Sequence, residues 1–540
     1  MSAINTKRKI TRPAKQLAEK TAEVAVSNFM DGVSFVPTPV TQLRMMAASC
    51  FFGEPQYYRE GTTNERPLRH LSFLAHLETC LGSIDPGMNS GETSAAARLE
   101  SVIDRALDFD AEATLKVAVD LRQNERMRAT PQVILVRAAM HPIVRGTHLI
   151  RQYAPGIIQR GDEPAVGLAY YLSKTDGAKK VPNSLKRAWA DYLESQSEYV
   201  LAKYRMESKA VKTVDVVNLT HAYSPAINKL MKGQLTMTDR SWEAIVSKGK
   251  GTPEAWQEAL PLLLNPKGHM ALLRNLRNLD AAGLMSSDVL TALKSGVAGG
   301  KQFPFRYYSA YTAVAAAAKV GMLQDALSEC IDLACANLPK FTGRVMSLCD
   351  NSGSAQGALT SEMGTMRVST IGNLMGVITG KQADEGFVGV FGDTLKVEPV
   401  RKTDSTLTQL EKMATLGDTV GGSTENGIWL FFDKAIRQRE HWDHIFVYSD
   451  MQAGHGGLYG VNPSEYAKYR WGDGRYIDVP ALVAKYRKTV NPNVMVYMVQ
   501  VAGYENSLMP EFYDRTFILG GWSENVLRFA GAMSEVYAAK

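Results

Sequence analysis

Apolar residues recur at three- and four-residue steps through residues 40–340 of the chain. The clearest examples are segments 41–50, 68–77, 111–119, 131–139, 181–201, 256–264 and 311–333. This spacing places the apolar side chains on one face of a helix. Prolines and glycines, such as Pro225 and the pair Gly299 and Gly300, separate the segments at short intervals. We therefore predict an all-α region of stacked helical pairs, an α-solenoid, with an irregular all-helical domain as the alternative.

The pattern changes after residue 340, where short apolar runs alternate with helical segments. The runs of strand length are 345–349, 386–391, 444–448 and 494–501. Helical spacing is found at 358–377, 406–416, 427–437, 463–470 and 479–488. Strands that alternate with helices form a doubly wound parallel sheet with helices on both faces. We predict a domain boundary near residue 340, with an α/β domain over residues 341–540.

The charge of the chain is uneven along its length. Before Phe341, 42 Lys and Arg stand against 33 Asp and Glu, whereas 19 stand against 22 from Phe341 onward. A basic N-terminal part suggests a polyanionic partner, although similar surpluses of basic residues occur on proteins that bind no nucleic acid.

Residues 1–30 are basic and polar. We expect a flexible, solvated tail there, with an RNA-binding arm as the alternative.

The composition narrows the class of protein. A chain of 540 residues is too long for one core. No uncharged apolar run of about 18 residues predicts a membrane span, and no apolar segment follows the N-terminal charges as in a signal peptide. The five cysteines lack Cys-x-x-Cys spacing. We expect a cytoplasmic protein with reduced thiols.

The sequence motifs of phosphate-binding loops, zinc peptidases and serine hydrolases are absent. We therefore predict a binding protein rather than an enzyme.

The first apolar run of the α/β region ends in a cluster of oxygen-bearing side chains. Asp350, Ser352 and Ser354 follow it directly. The carboxyl ends of parallel strands are where open α/β sheets bind ligands. Carboxylate and hydroxyl oxygens suit Mg²⁺, which prefers octahedral geometry. An aspartate at a strand end can also cap the following helix, so this cluster needs support from other loops.

Two later loops supply that support. Asp450 follows the third apolar run, and two glycines precede Ser423 and Thr424. With the first cluster, these residues resemble the metal-ion-dependent adhesion site of von Willebrand factor A domains. That motif has threonine directly after the glycines, whereas Ser423 stands here, so the choice of Ser423 or Thr424 as ligand stays open. The resemblance implies a divalent cation, Mg²⁺, at a functional or vestigial site.

Short matches along the whole chain indicate a family. They are the segments 43–53, 57–58, 147–149, 271–276, 303–305, 421–424 and 449–450. Their order, with a helical part followed by an A-type domain, resembles the Ro or TROVE family of RNA-binding proteins. The resemblance implies a ring of HEAT-like helical repeats over residues 31–340, closed by a von Willebrand factor A domain over residues 341–540.

The resemblance also implies a function. In this family, the outer basic face of the ring binds small structured noncoding RNA (Y RNA), and single-stranded 3′ ends of misfolded RNA enter the central hole. We expect a ribonucleoprotein of RNA quality control, a monomeric ring with a 3′ exonuclease as a candidate partner. Phosphate attraction to basic side chains fits both sites. The alternative is a protein–protein adaptor whose metal ion presents an open position to a partner's carboxylate.

Seven basic side chains are candidate RNA contacts by this resemblance. They are Lys203, Arg205, Lys209, Lys212, His221, Arg274 and Arg277. Lys203 and His221 match the family's Y RNA surface, and the basic residues that follow Lys203 lie beside it. The two arginines at 274 and 277 would line the hole. Solvated helix faces are the alternative for the lysines, a surface or helix-capping role is the alternative for His221, and a buried ion pair is the alternative for Arg274.

Overall fold

The structure is a computed structural model that describes most of the chain. The described residues are 24–27, 33–36, 38–48, 95–175, 180–235, 241–315, 317–357, 359–361, 364–422, 427–450, 470–471, 476–477, 479–501, 514–520 and 525–538. Most of the predicted tail, 1–30, the predicted helix at 68–77 and all but the last residue of the predicted helix at 463–470 lie outside them. Strands β1 (Val24–Ser27) and β2 (Val33–Val36) pair as an antiparallel hairpin.

A series of helices follows the hairpin. They are α1 (Pro39–Ala48), α2 (Ala95–Gln123), α3 (Ala129–Met140), α4 (Leu149–Ile157), α5 (Glu163–Lys174), α6 (Asn183–Glu194), α7 (Glu198–Lys203), α8 (Thr213–Thr220), α9 (Pro225–Met231), α10 (Trp242–Lys248), α11 (Pro253–Leu263), α12 (His269–Arg274), α13 (Leu276–Ala281), α14 (Ser287–Gly300), α15 (Pro304–Ala313) and α16 (Val320–Ala334). Among the helices that the structure describes, none is long and apolar enough to span a membrane.

Hydroxyl side chains fix where many of these helices begin. Ser197, Ser224, Ser241, Thr252 and Ser286 each accept a hydrogen bond from a backbone N–H in the first turn of the helix that follows. Each cap satisfies one of the N–H groups that a helix start leaves without a partner. The predicted single segment 181–201 is therefore divided into α6 and α7, with Ser197 as the cap of the second helix.

The helices pack mainly against near neighbours in sequence. Helix α2 contacts α3 and α4, α3 contacts α5, and α4 contacts α6. The same pattern continues as α6 contacts α8 and α14 contacts α16. In a stack of helical pairs, each helix contacts the next helix in the chain and the one after it. The predicted all-α repeat region is thus confirmed.

The α/β domain begins at Phe341. Its strands are β3 (Phe341–Asp350), β4 (Leu359–Ser361), β5 (Gly364–Arg367), β6 (Ala383–Phe391), β7 (Leu395–Pro399), β8 (His444–Ser449), β9 (Arg470–Trp471), β10 (Tyr476–Ile477), β11 (Met495–Gln500) and β12 (Thr516–Gly520). Its helices are α17 (Gly353–Gly357), α18 (Val368–Gln382), α19 (Thr406–Gly417), α20 (Gly427–Gln438), α21 (Val479–Thr489) and α22 (Asn525–Ala538).

The main sheet has six strands in the order β12-β11-β8-β3-β6-β7. All neighbouring strands are parallel except β7, which is antiparallel at one edge. Every residue of β8, β11 and β12 is buried, as expected for strands covered by helices on both faces. The predicted doubly wound α/β domain is confirmed.

Two details differ from the sequence prediction. The segment 358–377 was predicted to be one helix, but β4 and β5 form a small antiparallel hairpin before α18 begins at Val368. The prediction was wrong there because helical spacing of apolar residues over so short a stretch does not exclude a hairpin that tertiary packing stabilises. The two edge strands are also not predicted by the sequence: β7 is only half buried and lacks a continuous apolar run, and β12 has only three consecutive apolar residues.

The helical region begins and ends on the α/β domain. Its first helix, α1, contacts β12 and α22. At its other end, Asp332 of α16 forms an ion pair with Lys381 of α18 and accepts hydrogen bonds from Thr406 at the start of α19. A cavity of about 960 Å³ lies at the junction of the two regions, lined by residues of α1, α2 and α22 and by residues 336–339. The repeat region therefore returns to the domain from which it starts.

Candidate functional site

The carboxyl edge of the main sheet holds a buried aspartate. Asp350 ends β3 and is 1% exposed. Its Oδ1 accepts a hydrogen bond from the Ser352 backbone N–H at 2.9 Å, and its Oδ2 accepts one from the Ser449 hydroxyl at 2.6 Å. Ser449 ends β8, which pairs with β3 in parallel. The neighbouring strand thus fixes the carboxylate of Asp350 at the point where both strands end.

Two hydroxyls lie beside this carboxylate. Ser352 Oγ and Ser354 Oγ are 3.2 Å apart in the turn that begins α17. Gly353 N–H donates to the Gly422 carbonyl at 2.8 Å, which brings the second predicted loop against the first. Gly421 has a φ of +90°, a backbone conformation that favours glycine. Ser423 and Thr424 follow directly in the chain but lie outside the described residues.

Asp450 completes the carboxylate pair of this edge. It follows Ser449 and is fully buried. Burial, together with the negative charge of Asp450, raises the pKa of Asp350 above its usual range. Both effects disfavour two ionised carboxylates in a site without a cation. His444 lies at the other end of β8, where burial lowers its pKa to about 4, so it takes no part in this edge.

This edge fits a divalent cation. Two buried carboxylates, of which Asp450 helps to raise the pKa of Asp350, and two adjacent hydroxyls form a set of hard oxygen donors without sulfur or nitrogen. The described part of the chain contains no group of three or more His, Cys, Asp or Glu residues placed to hold a metal. A cation here would therefore depend on hydroxyls and water for its remaining ligands. Asp350, Ser352, Ser354 and Asp450 are the side chains that would hold it.

A buried amide pair supports the turn after Asp350, and sequence reasoning missed it. Asn351 Nδ2 donates to Asn373 Oδ1 at 2.9 Å, and Asn373 Nδ2 donates back to Asn351 Oδ1 at 2.9 Å. Both residues are almost fully buried. The pair connects the turn to α18. The sequence could not indicate it, because the partners are separated by a hairpin and a helical turn.

The predicted RNA contacts after α7 form an exposed basic surface. Lys203, Lys209, Lys212 and His221 are all exposed. Lys203 ends α7, and Lys212 precedes α8. His221 follows α8 in the left-handed region with a φ of 55°, and its N–H caps the helix by donating to the Val217 carbonyl. Lys209 lies in the segment that joins α7 to α8.

Arg205 differs from its neighbours. Its Nη1 donates to the Leu235 carbonyl at 2.7 Å, and its Nη2 forms an ion pair with Glu207. The side chain is only 28% exposed. Arg205 therefore joins the chain after α7 to the segment after α9. Its guanidinium therefore has two partners within the protein, whereas Lys203, Lys209 and Lys212 form no ion pair with the described residues.

Arg274 and Arg277 lie in a separate part of the helical region. Arg274 ends α12, and Arg277 lies in α13. Both are exposed, and neither forms an ion pair within the described residues. The alternative of a buried pair for Arg274 is therefore not what the structure shows.

The fold and the two sites define a class of protein: a helical-repeat region that begins and ends on a doubly wound α/β domain with an oxygen-rich sheet edge. The crystal structure of the Ro (Rsr) protein of Deinococcus radiodurans is similar, with a TM-score of 0.58 and 16% sequence identity over 86% of this chain and 99% of that one. The chain therefore has the fold of a Ro protein, and the Ro-type architecture that the sequence indicates is confirmed. Scans against protein families and curated proteins find no match.

Proposed function

We propose that this chain is an RNA-binding protein of the Ro type. The observation that carries the proposal is the exposed basic surface around Lys203 and His221, in a chain with the fold of a Ro protein. Structured small RNA, Y RNA or a similar RNA, binds this outer surface through its phosphates and its shape. Single-stranded 3′ ends of misfolded RNA bind elsewhere on the helical region, where Arg274 and Arg277 contribute.

The charge of the surface supports this proposal. Lys203, Lys209 and Lys212 form no ion pair with any carboxylate of the described residues, so their charges are available to phosphates. Phosphate contacts of this kind give salt-dependent binding, with about one unit of log–log slope for each neutralised phosphate. Acting as a binder rather than as an enzyme, the protein would serve RNA quality control by presenting RNA to a 3′ exonuclease in the cytoplasm.

An electrophoretic mobility shift with a Y-like RNA tests the function. Wild-type protein should bind, and binding should weaken as salt increases. The double variant Lys203→Ala with His221→Ala should bind more weakly and show a smaller salt slope, because at least one phosphate contact is lost. Lys319→Ala, far from this surface in sequence, is the control. Salt-insensitive binding, or wild-type affinity in the double variant, would reject the proposal.

A second candidate is a protein adaptor. The buried pair of Asp350 and Asp450 beside Ser352 favours it, because a cation held there would keep a position open for a partner's carboxylate. Asp350→Asn should then abolish capture of an acidic protein partner, such as an exonuclease, while RNA binding persists. The two functions are compatible, since they use different domains. Loss of RNA binding in Asp350→Asn would count against this separation.

A further inference from the structure

We infer that Tyr199 and Tyr223 bind unpaired bases of the RNA by stacking. This inference rests on the proposed function and deepens it, because it names the part of the RNA that this surface recognises. It assigns the surface two classes of contact. Lysines contact phosphates, and tyrosines contact bases that are not paired.

The exposure of the two tyrosines is the first observation. Tyr223 is 72% exposed and Tyr199 is 53% exposed, the two highest values among the large hydrophobic side chains of the described residues. Elsewhere in the described helical region, tyrosines such as Tyr170 and Tyr307 are buried. Aromatic rings exposed to this extent on a folded surface are available for contact with a partner.

The position of the rings is the second observation. Tyr199 lies one turn before Lys203 on α7, and the Lys203 Nζ is 5.8 Å from the centre of the Tyr199 ring. Tyr223 lies two residues after His221, and its backbone N–H donates to Glu194 Oε1 at 2.8 Å, just before α7. Each tyrosine thus lies within four residues, along the chain, of a basic residue predicted to contact RNA.

Contacts between helices hold the two tyrosines on one surface. Helix α7 packs against α9, which begins two residues after Tyr223. Lys229 of α9 forms an ion pair at 2.7 Å with Glu198, the residue before Tyr199. Tyr199 on α7 and Tyr223 just before α9 therefore flank two helices that pack together, and both rings are exposed.

The surrounding charge favours RNA over a protein partner. Residues 198–232 contain six Lys and Arg and three Asp and Glu. Each of the three acids is engaged: Glu198 pairs with Lys229, Glu207 pairs with Arg205, and Asp215 accepts from the Lys212 backbone N–H. Glu194, four residues before this stretch, accepts from the Tyr223 backbone N–H. The lysines at 203, 209, 212 and 232 are exposed without a carboxylate partner in the described part of the chain. Exposed aromatic rings next to lysines that form no ion pair with Asp or Glu are typical of surfaces that bind unpaired nucleotides.

A fluorescent hairpin RNA tests the inference. The probe carries 2-aminopurine in an unpaired loop, and a blunt duplex RNA of equal length without unpaired bases serves for comparison. Tyr199→Ala and Tyr223→Ala should each weaken hairpin binding about tenfold, because a stacked base loses its aromatic partner. Both should leave duplex binding and the salt slope unchanged. Binding of either alanine variant should no longer quench the 2-aminopurine fluorescence, whereas binding of Tyr199→Phe or Tyr223→Phe should still quench it.

The controls separate this inference from the proposed function. Met322→Ala removes another exposed apolar side chain, 48% exposed on α16, and should bind both RNAs as wild type does. If wild type binds the hairpin and the alanine variants bind it equally well, the stacking role is rejected while the proposed function stands. The exposed tyrosines would then contact a protein partner instead of RNA. Equal losses on hairpin and duplex also reject it. If wild type binds neither RNA, the proposed function itself fails.

Discussion

Arg528 donates a hydrogen bond at 2.7 Å to the carbonyl oxygen of Asn337, which lies 191 residues earlier in the chain. The same guanidinium lies 4.7 Å from the centre of the Phe303 ring. Arg528 belongs to α22, near the end of the α/β domain, whereas Phe303 precedes α15 and Asn337 lies between α16 and β3. One side chain thus connects the last helix of the protein to the end of the repeat region.

Arg528→Ala should lower the free energy of unfolding by about 1–3 kcal/mol. The Asn337 carbonyl would lose a charged donor and the Phe303 ring would lose its cation. Urea denaturation followed by circular dichroism measures the change. Arg306→Ala, which removes an exposed arginine from the helix next to Phe303, should cost less than about 0.5 kcal/mol. Equal losses in the two variants would mean that the contacts of Arg528 do not stabilise the junction.

Mg²⁺ should stabilise the wild-type protein but not Asp350→Asn. A cation that binds only the folded state stabilises it by about 2.7 kcal/mol at one hundred times its dissociation constant. Asparagine keeps the shape of Asp350 but removes a charge that the cation needs. Thermal unfolding with and without MgCl₂ measures the difference.

The same experiment includes a test of the buried carboxylate pair. Without added metal, Asp350→Asn should be at least as stable as wild type, since the repulsion between Asp350 and Asp450 is removed. Asp325→Asn, which changes an exposed acid of the helical region, should keep the full response to Mg²⁺. A response to Mg²⁺ that survives in Asp350→Asn would place the cation elsewhere.

A buried glutamate should make stability depend on pH. Glu125, beside the cavity at the junction, is 3% exposed, and neither carboxylate oxygen has a hydrogen-bond partner among the described residues. Burial raises its pKa to about 7; Asp120 adds to the rise, while Arg44 and Arg528 oppose it. The folded state therefore keeps a proton that the unfolded state loses. The contribution of this group is full below its unfolded pKa of 4.5 and is lost as the pH rises to about 7.

Glu125→Gln mimics the protonated side chain and tests this dependence. The variant should match wild type at pH 5 and exceed its free energy of unfolding by up to about 3 kcal/mol at pH 8. Denaturation at the two pH values measures this. Glu258→Gln, at an exposed glutamate, should show no difference between them. A gain of equal size at pH 5 would mean that ionisation of Glu125 is not the cause.

The sequence predicts the sheet edge well because strand ends determine it. Asp350 and Ser352 follow an apolar run directly, so their position requires only that the run is a strand. The hydrogen bond from Ser449 to Asp350 could not be predicted in this way. It depends on β8 lying beside β3, and strand order depends on packing across the whole domain.

The surface around Lys203 shows a different limit. Lysines are exposed in most contexts, so the sequence alone indicates a basic surface. Tyr199 and Tyr223 are of a residue type that is more often partly buried, and their apolar rings do not indicate a surface role. Their exposure follows from how α7 packs on α9, which apolar spacing within one helix does not determine. Arg205, by contrast, is a charged residue that is only 28% exposed, because it donates to the carbonyl of Leu235, which lies 30 residues later in the chain.

Two glycines of α14 should respond in opposite directions to alanine. A Cβ at Gly296 would lie 2.3 Å from Nδ1 of His269, whose ring is buried and bonded at 2.7 Å to the Tyr307 hydroxyl. Gly296→Ala should therefore cost about 1–3 kcal/mol of stability by overpacking. Gly299 has open space around the same position, so Gly299→Ala should add about 0.4–1 kcal/mol by restricting the unfolded chain. Urea denaturation of both variants checks the contrast; a loss in both would show that the backbone of α14 there, rather than His269, requires glycine.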